Sequence, residues 1–193
     1  MNLPNLLTIS RVPLMFAVVA LMYARFANAA TVAFWLFIAA ALTDWLDGKI
    51  ARERGLVSSF GRFMDSVIDK VLVIGLMIAL VNEPANFMGH SITAMLLLLC
   101  ILCREFAIAG LRTAAASKGR PIEADTGGKV KTFVQLNAIG WLMGARMLEL
   151  DFPNPDTVNL TRLLGMALYG LSAVLTITSG VSYFRRHRSV LAD

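Results

Sequence analysis

Charge is scarce in this sequence. Only 16% of the 193 residues are Asp, Glu, Lys or Arg, whereas 57% are apolar, and the mean hydropathy is +0.66. That balance excludes an ordinary soluble domain and fits an integral membrane protein. Histidine is nearly missing as well. His90 lies in a connection and His187 in the basic tail, neither with a partner cluster, so neither is read as catalytic or as a metal ligand. The two cysteines, Cys100 and Cys103, form one C-x-x-C inside an apolar run. A zinc ribbon needs a second pair, and a bridge between neighbouring helical turns is disfavoured, so both read as apolar filler. Strand-like alternation is absent, which argues against a β-barrel. No linker, low-complexity tract or internal repeat divides the chain, so residues 1–193 are expected to form a single domain. The first apolar run is followed by Ala27-Asn28-Ala29, which has the look of a signal-peptide cleavage site. It lacks a basic n-region, and Arg25 interrupts its end, so it reads as a membrane span.

What is present is a series of long apolar segments. A helix crossing a bilayer needs about 20 mostly apolar residues. Six segments approach that length: 6–26, 30–47, 61–82, 91–115, 132–150 and 161–184. The predicted fold is all-α, a six-helix membrane bundle. Lys49, Arg52, Arg54 and Arg62 lie around the segment 2–3 connection. Arg112, Lys118, Arg120, Lys129 and Lys131 lie around the segment 4–5 connection, and Arg185, Arg186 and Arg188 at the end. The other connections are poor in cations, or offset them with Glu149, Asp151 and Asp156. The positive-inside rule then puts both termini in the cytoplasm, in agreement with an even number of spans. It also accounts for the net charge of +5 without nucleic acid.

Against that apolar background four aspartates stand out, in the run Asp44-x2-Asp47-Gly48-x2-Ala51-Arg52-x8-Gly61-x3-Asp65-x3-Asp69. Carboxylates at membrane depth are costly and point to function. Spacings of three and four put each pair on one helix face, and consecutive antiparallel helices can bring the pairs together. Carboxylates that close would protonate one another unless a cation relieved the repulsion. An all-carboxylate set suits Mg²⁺, Mn²⁺ or Ca²⁺ rather than zinc, and four carboxylates suffice for two ions with substrate phosphate completing the shells. Gly48 and Gly61 remove side chains where a ligand or a facing backbone must come close. Arg52 is placed to grip a diphosphate. The polar start Pro4-Asn5-Leu6-Leu7-Thr8-Ile9-Ser10-Arg11 reads equally as an interfacial anchor that snorkels Arg11 or as a wall of the same site.

From Asp44 to Asp69 the sequence resembles, position for position, the signature of the CDP-alcohol phosphotransferase family, over about a seventh of the chain. Residues 4–11, Arg104-Glu105 with Gly110-Leu111-Arg112, and Gly128-Lys129-Val130-Lys131-Thr132 with Gln135 are similar to that family's phosphatidylglycerophosphate synthase branch. Ser66 departs from the branch, whose bacterial members often carry Pro there. The resemblance implies a homodimer of six-helix subunits in a bacterial-type inner (plasma) membrane, with a two-metal site, Mg²⁺ or Mn²⁺, facing the cytoplasm. It implies Asp44, Asp47 and Asp65 as metal ligands, and Asp69 as general base with metal contact. It places Gly48, Arg52 and Gly61, with Asn5 and Thr8, near the CDP-lipid. It implies CDP-diacylglycerol as donor and sn-glycerol 3-phosphate as acceptor, yielding phosphatidylglycerophosphate and CMP.

A second group is cationic. Arg104 lies too deep in segment 4 for a simple surface charge. It reads as an ion pair with Glu105 or the aspartates, or, with Arg112, Lys129 and Lys131, as a pocket for the acceptor's phosphate. Lys118 and Arg120 read as topology charges or headgroup contacts, Glu123 and Asp125 as solvated loop residues. Gln135 and Asn137 are expected to bond between helices; Trp35, Trp45 and Trp141 fit membrane interfaces. Two rivals are a different acceptor (inositol phosphate, serine or a second lipid) and a cation transporter. A transport path should continue polar residues through the membrane, whereas these aspartates sit at one end of their segments.

Overall fold

The computed structural model describes residues 3–53, 59–119, 122 and 127–187. Within its helices, the side chains of 3–9, 44–53, 59–63, 65, 66 and 127–129 lie outside that description. Among the described residues the chain forms six α-helices and no strand. They are α1 Leu3–Tyr23, α2 Ala29–Glu53, α3 Ser59–Val81, α4 Ser91–Ser117, α5 Gly127–Asp151 and α6 Pro155–Arg186, with a one-turn 3-10 helix at Pro84–Phe87. They run from 21 to 32 residues, about 30–48 Å at 1.5 Å per residue. Among the described residues α4 and α6 are apolar and long enough to cross a membrane, and α1 and α2 contribute the shorter apolar stretches Ser10–Tyr23 and Ala29–Thr43.

Local chemistry sets the ends. α1 stops at Tyr23, short of Phe26, and the chain turns through Asn28 at a φ of 63°. The first turn of α2 is capped by a carboxylate from another helix. The Thr31 amide and hydroxyl both donate to Asp151 Oδ2, at 2.8 and 2.6 Å, which places negative charge at the positive end of the helix. α6 begins at Pro155, before the apolar run that starts at 161. Asn154 accepts from the Asp156 and Thr157 amides, and Pro155 occupies the first helical position, where its missing N–H costs nothing. α2 runs on to Glu53 and α3 starts at Ser59, so Lys49, Arg52 and Arg62 belong to helices rather than to a loop.

Polar contacts between helices fix their directions. Arg11 meets Asp69 about midway along α1 and α3, and Tyr23 donates to the Ala79 carbonyl near their ends, so these helices are parallel. Glu83, just past α3, meets Arg146 near the end of α5, so α3 and α5 are parallel too. Gln135 with Thr176 makes α5 and α6 antiparallel, and Thr31 with Asp151 does the same for α2 and α5. Tyr169 with the Ala94 carbonyl and Arg112 with Tyr183 make α4 and α6 parallel. The start of α1 and the end of α6 therefore share one end of the bundle, with the start of α3. The opposite end carries Arg146 with Glu83 and Glu149, and Arg162 with Glu149.

The core runs through the middle, with Leu76, Met77, Leu80, Leu98, Ile139 and Leu142 almost wholly buried. The α5–α6 pair packs most extensively. A side chain at Gly165 would meet Leu142, whose backbone nitrogen lies 3.0 Å from the ideal Cβ position. Small residues permit this kind of approach between membrane helices. Phe16, Trp35, Ile92, Phe106, Phe133 and Leu160 are large apolar side chains on the outer surface. Cys100 and Cys103 are free and also lie on the outer surface rather than in the core. The expected direct packing of α2 on α3 is not seen among the described residues; α1 and α5 each pack against both.

Candidate active site

Between α1, α2, α3 and α5 lies a narrow cleft. Its walls are apolar, with Leu14 and Val18 from α1, Phe37 from α2, and Leu72 and Leu76 from α3; its polar lining groups are Arg11, Asp69 and Thr132. The Asp69 side chain is 46% exposed and that of Arg11 10%, with Nη1 of Arg11 3.3 Å from Oδ1 of Asp69. Within the stretch 4–11, Arg11 is buried beside Asp69 and lines the cleft, while the side chains of 4–9 lie outside the described residues.

Helical register extends the cleft toward the remaining aspartates. Ala40 and Ala41 line it from α2, and Asp44 stands four and three residues further along the same unbroken helix, with Asp47 one turn beyond. On α3 the lining residues Asp69, Leu72 and Leu76 share a face with Asp65, four residues before Asp69, and with Gly61 one turn earlier. A period of 3.6 residues puts all four aspartates and Gly48 at register positions on the two cleft-lining faces. By the same count Thr8 follows the Arg11 face of α1, and Lys129 shares the α5 face of Thr132 and Leu136. The side chains of Asp44, Asp47, Asp65, Gly48, Arg52, Gly61, Asn5, Thr8 and Lys129 lie outside the described residues. Four carboxylates at such register positions could together suit hard divalent cations; of the four, the Asp69 side chain is described, half-exposed at the cleft.

Two of the cationic residues, Arg104 of α4 and Lys131 of α5, meet at Glu105. Nη1 of Arg104 donates to Glu105 Oε1 at 3.0 Å, Lys131 Nζ pairs with that same oxygen, and Nη2 of Arg104 donates to Ser179 Oγ at 3.1 Å. Glu105 and Lys131 are both buried. Arg104 thus makes the ion pair that was one of its two readings, but shares its carboxylate with Lys131. Arg112 donates through Nε to the Tyr183 hydroxyl at 3.1 Å, and its guanidinium lies 5.4 Å from that ring's centroid. Its terminal nitrogens make no hydrogen bond among the described residues, which leaves donors for an anion. Glu105 as a shared partner was not read from the sequence. The cost of a carboxylate at membrane depth, which singled out the aspartates, applies equally to it.

Other expectations divide. Gln135 bonds between helices, donating to Thr176 at 3.4 Å, whereas Asn137 donates to the Phe133 carbonyl of its own helix. Such local bonding is the common alternative for a short amide side chain on a helix. His187 stacks on Tyr183 with ring centroids 4.5 Å apart, and His90 precedes α4 without capping it through its side chain.

A family model described as CDP-alcohol phosphatidyltransferase matches residues 1–178. The chain is 36% identical over 194 aligned residues to the CDP-diacylglycerol–glycerol-3-phosphate 3-phosphatidyltransferase of Salmonella choleraesuis, covering 100% of this chain and 98% of the relative. It is 34% identical over 188 residues to the protein of that name from Rickettsia bellii, covering 95% of this chain and 94% of the relative. The Rickettsia prowazekii protein, also so named, is 34% identical over the same length, again covering 95% and 94%.

Proposed function

The chain belongs to the CDP-alcohol phosphatidyltransferase family, and from that premise we propose that it transfers the phosphatidyl group of CDP-diacylglycerol to sn-glycerol 3-phosphate, giving phosphatidylglycerophosphate and CMP. The observation that carries this reading is the coincidence of Asp69 with the apolar cleft, and of Asp44, Asp47 and Asp65 with the faces that line it. A diphosphate-linked lipid needs an anion-handling centre at the end of a greasy channel, and this arrangement supplies both.

All six helices cross the membrane in this reading. The cation-rich end, which holds both termini and the site, faces the cytoplasm, and two subunits form the homodimer that the family resemblance implies. The apolar cleft takes part of the donor's acyl region, and Arg52, Gly48, Gly61, Asn5 and Thr8 lie along the nucleotide side. Asp44, Asp47 and Asp65, together with Asp69, would hold Mg²⁺ or Mn²⁺. When bound, the metal supplies charge neutralisation for the diphosphate and for the departing CMP oxygen.

Arg104, Arg112, Lys129 and Lys131 hold the acceptor's phosphate and so orient its hydroxyl. Asp69 takes the hydroxyl proton. The freed oxygen bonds to the lipid-side phosphorus, and the phosphoanhydride bond to CMP breaks, with the bridging oxygen leaving on CMP. Arg11 steadies the Asp69 carboxylate from the cleft wall.

Reconstituted protein given CDP-diacylglycerol and radiolabelled glycerol 3-phosphate should form labelled lipid and release CMP in equal amounts, and a chelator should stop both. Labelling with inositol phosphate or serine in place of glycerol 3-phosphate would reassign the acceptor. No CMP release with any alcohol would overturn the reaction.

A further inference from the structure

Arg104 and Lys131 come from different helices, and both reach one oxygen of Glu105. Two cations at that separation repel, and each long side chain has many rotamers to lose. A single buried carboxylate between them removes the repulsion and selects one geometry for both. The opposite side of Arg104 is equally shaped. Ser179 of α6 accepts from Nη2, and a Cβ on Gly180 would sit 2.6 Å from Arg104 Cγ. The missing side chain at Gly180 therefore makes the passage through which Arg104 runs. One helix turn on, Tyr183 of α6 holds Arg112. The cluster flanks the cleft on the neighbouring face of α5, because Thr132, the residue after Lys131, lines the cleft with Asp69.

We propose that Glu105 is a positioning residue of the transferase reaction, fixing Arg104 and Lys131 as a preset pair of donors for the acceptor's phosphate, with Gly180 clearing the seat of Arg104. This rests on the acceptor-pocket reading of Arg104 and Lys131 given above. Glu105 does not touch the reacting atoms. It acts by keeping two cations in place before the acceptor arrives, so that binding need not order them.

The test is a KM-against-kcat comparison in reconstituted full-length protein. Glu105→Gln should raise the KM for glycerol 3-phosphate by about tenfold or more, the scale of one lost charge-assisted hydrogen bond. The KM for CDP-diacylglycerol should stay within about twofold, which also shows that the variant is folded. Glu105→Asp should recover part of the loss. In a Lys131→Met background, Glu105→Gln should add much less than it does alone, because the two act as a unit. Gly180→Ala, which leaves the carboxylate intact and displaces Arg104 from the other side, should produce the same acceptor-selective rise and serves where Glu105→Gln does not fold.

An acceptor KM that stays unchanged or falls in both Glu105→Gln and Gly180→Ala overturns the positioning role, as do effects of Glu105→Gln and Lys131→Met that simply multiply. An unchanged acceptor KM in Lys131→Met alone overturns the pocket reading itself, and with it this inference.

Discussion

Arg11 of α1 and Asp69 of α3, 58 residues apart in sequence, meet at 3.3 Å where a polar edge borders an apolar cleft. The arginine is buried and the carboxylate half-exposed, so the cation is a fixture of the wall and the anion is presented to the cleft. A group that must accept a proton from a bound alcohol needs such a fixed orientation. Arg11→Ala is expected to lower kcat by roughly tenfold to a hundredfold, the scale of a lost charged hydrogen bond, with a smaller effect on the KM for CDP-diacylglycerol. Arg11→Lys should recover part of the rate. Steady-state CMP release at saturating acceptor measures both.

Asp69→Asn keeps the shape of the side chain but removes its capacity to take a proton. Turnover should fall by about 10²–10⁴-fold, the usual contribution of a general base, while binding of CDP-diacylglycerol is partly retained. Equilibrium binding of the nucleotide lipid alongside single-turnover rates separates the two. A loss of binding equal to the loss of rate would contradict the base role.

Arg112 is anchored by Tyr183 through Nε, with its terminal nitrogens making no hydrogen bond among the described residues. Removing it with Arg112→Ala, or removing Lys131, should raise the KM for glycerol 3-phosphate more than that for the lipid. Initial-rate measurements over a grid of both substrates give the two constants, and an unchanged acceptor KM would defeat the assignment.

The six helices were legible because each contains a mostly apolar segment, and the aspartate pairs because charge is costly in that setting. The start of α6 was also written in the sequence, as Asn154-Pro155-Asp156-Thr157, but an apolar-run criterion passes over a polar cap. Which helix lies beside which was not legible. Helices apolar on most faces carry little rotational signal, and loop length alone favoured α2 against α3, whereas α1 and α5 pack on both. The contact of Arg11 with Asp69 and the sharing of Glu105 by Arg104 and Lys131 depend on that neighbour order. They became visible only in three dimensions.

The opposite end of the bundle offers a control. Asp151 caps the first turn of α2 through two bonds from Thr31. Asp151→Ala should destabilise the fold by about 1 kcal/mol, the usual worth of a cap. It should lower the melting temperature in detergent while leaving both KM values near those of the parent protein. A selective change in either KM would mean that this end communicates with the reaction.

The central claim is that carboxylates of α2 and α3 jointly hold divalent metal at the cleft. Electron paramagnetic resonance of Mn²⁺ titrated into purified protein tests it directly, comparing the parent chain with Asp44→Asn on α2 and Asp65→Asn on α3. Bound Mn²⁺ in the parent that is weakened by either single substitution is the predicted result. Mn²⁺ binding that is absent from the parent, or indifferent to both substitutions, would contradict the account.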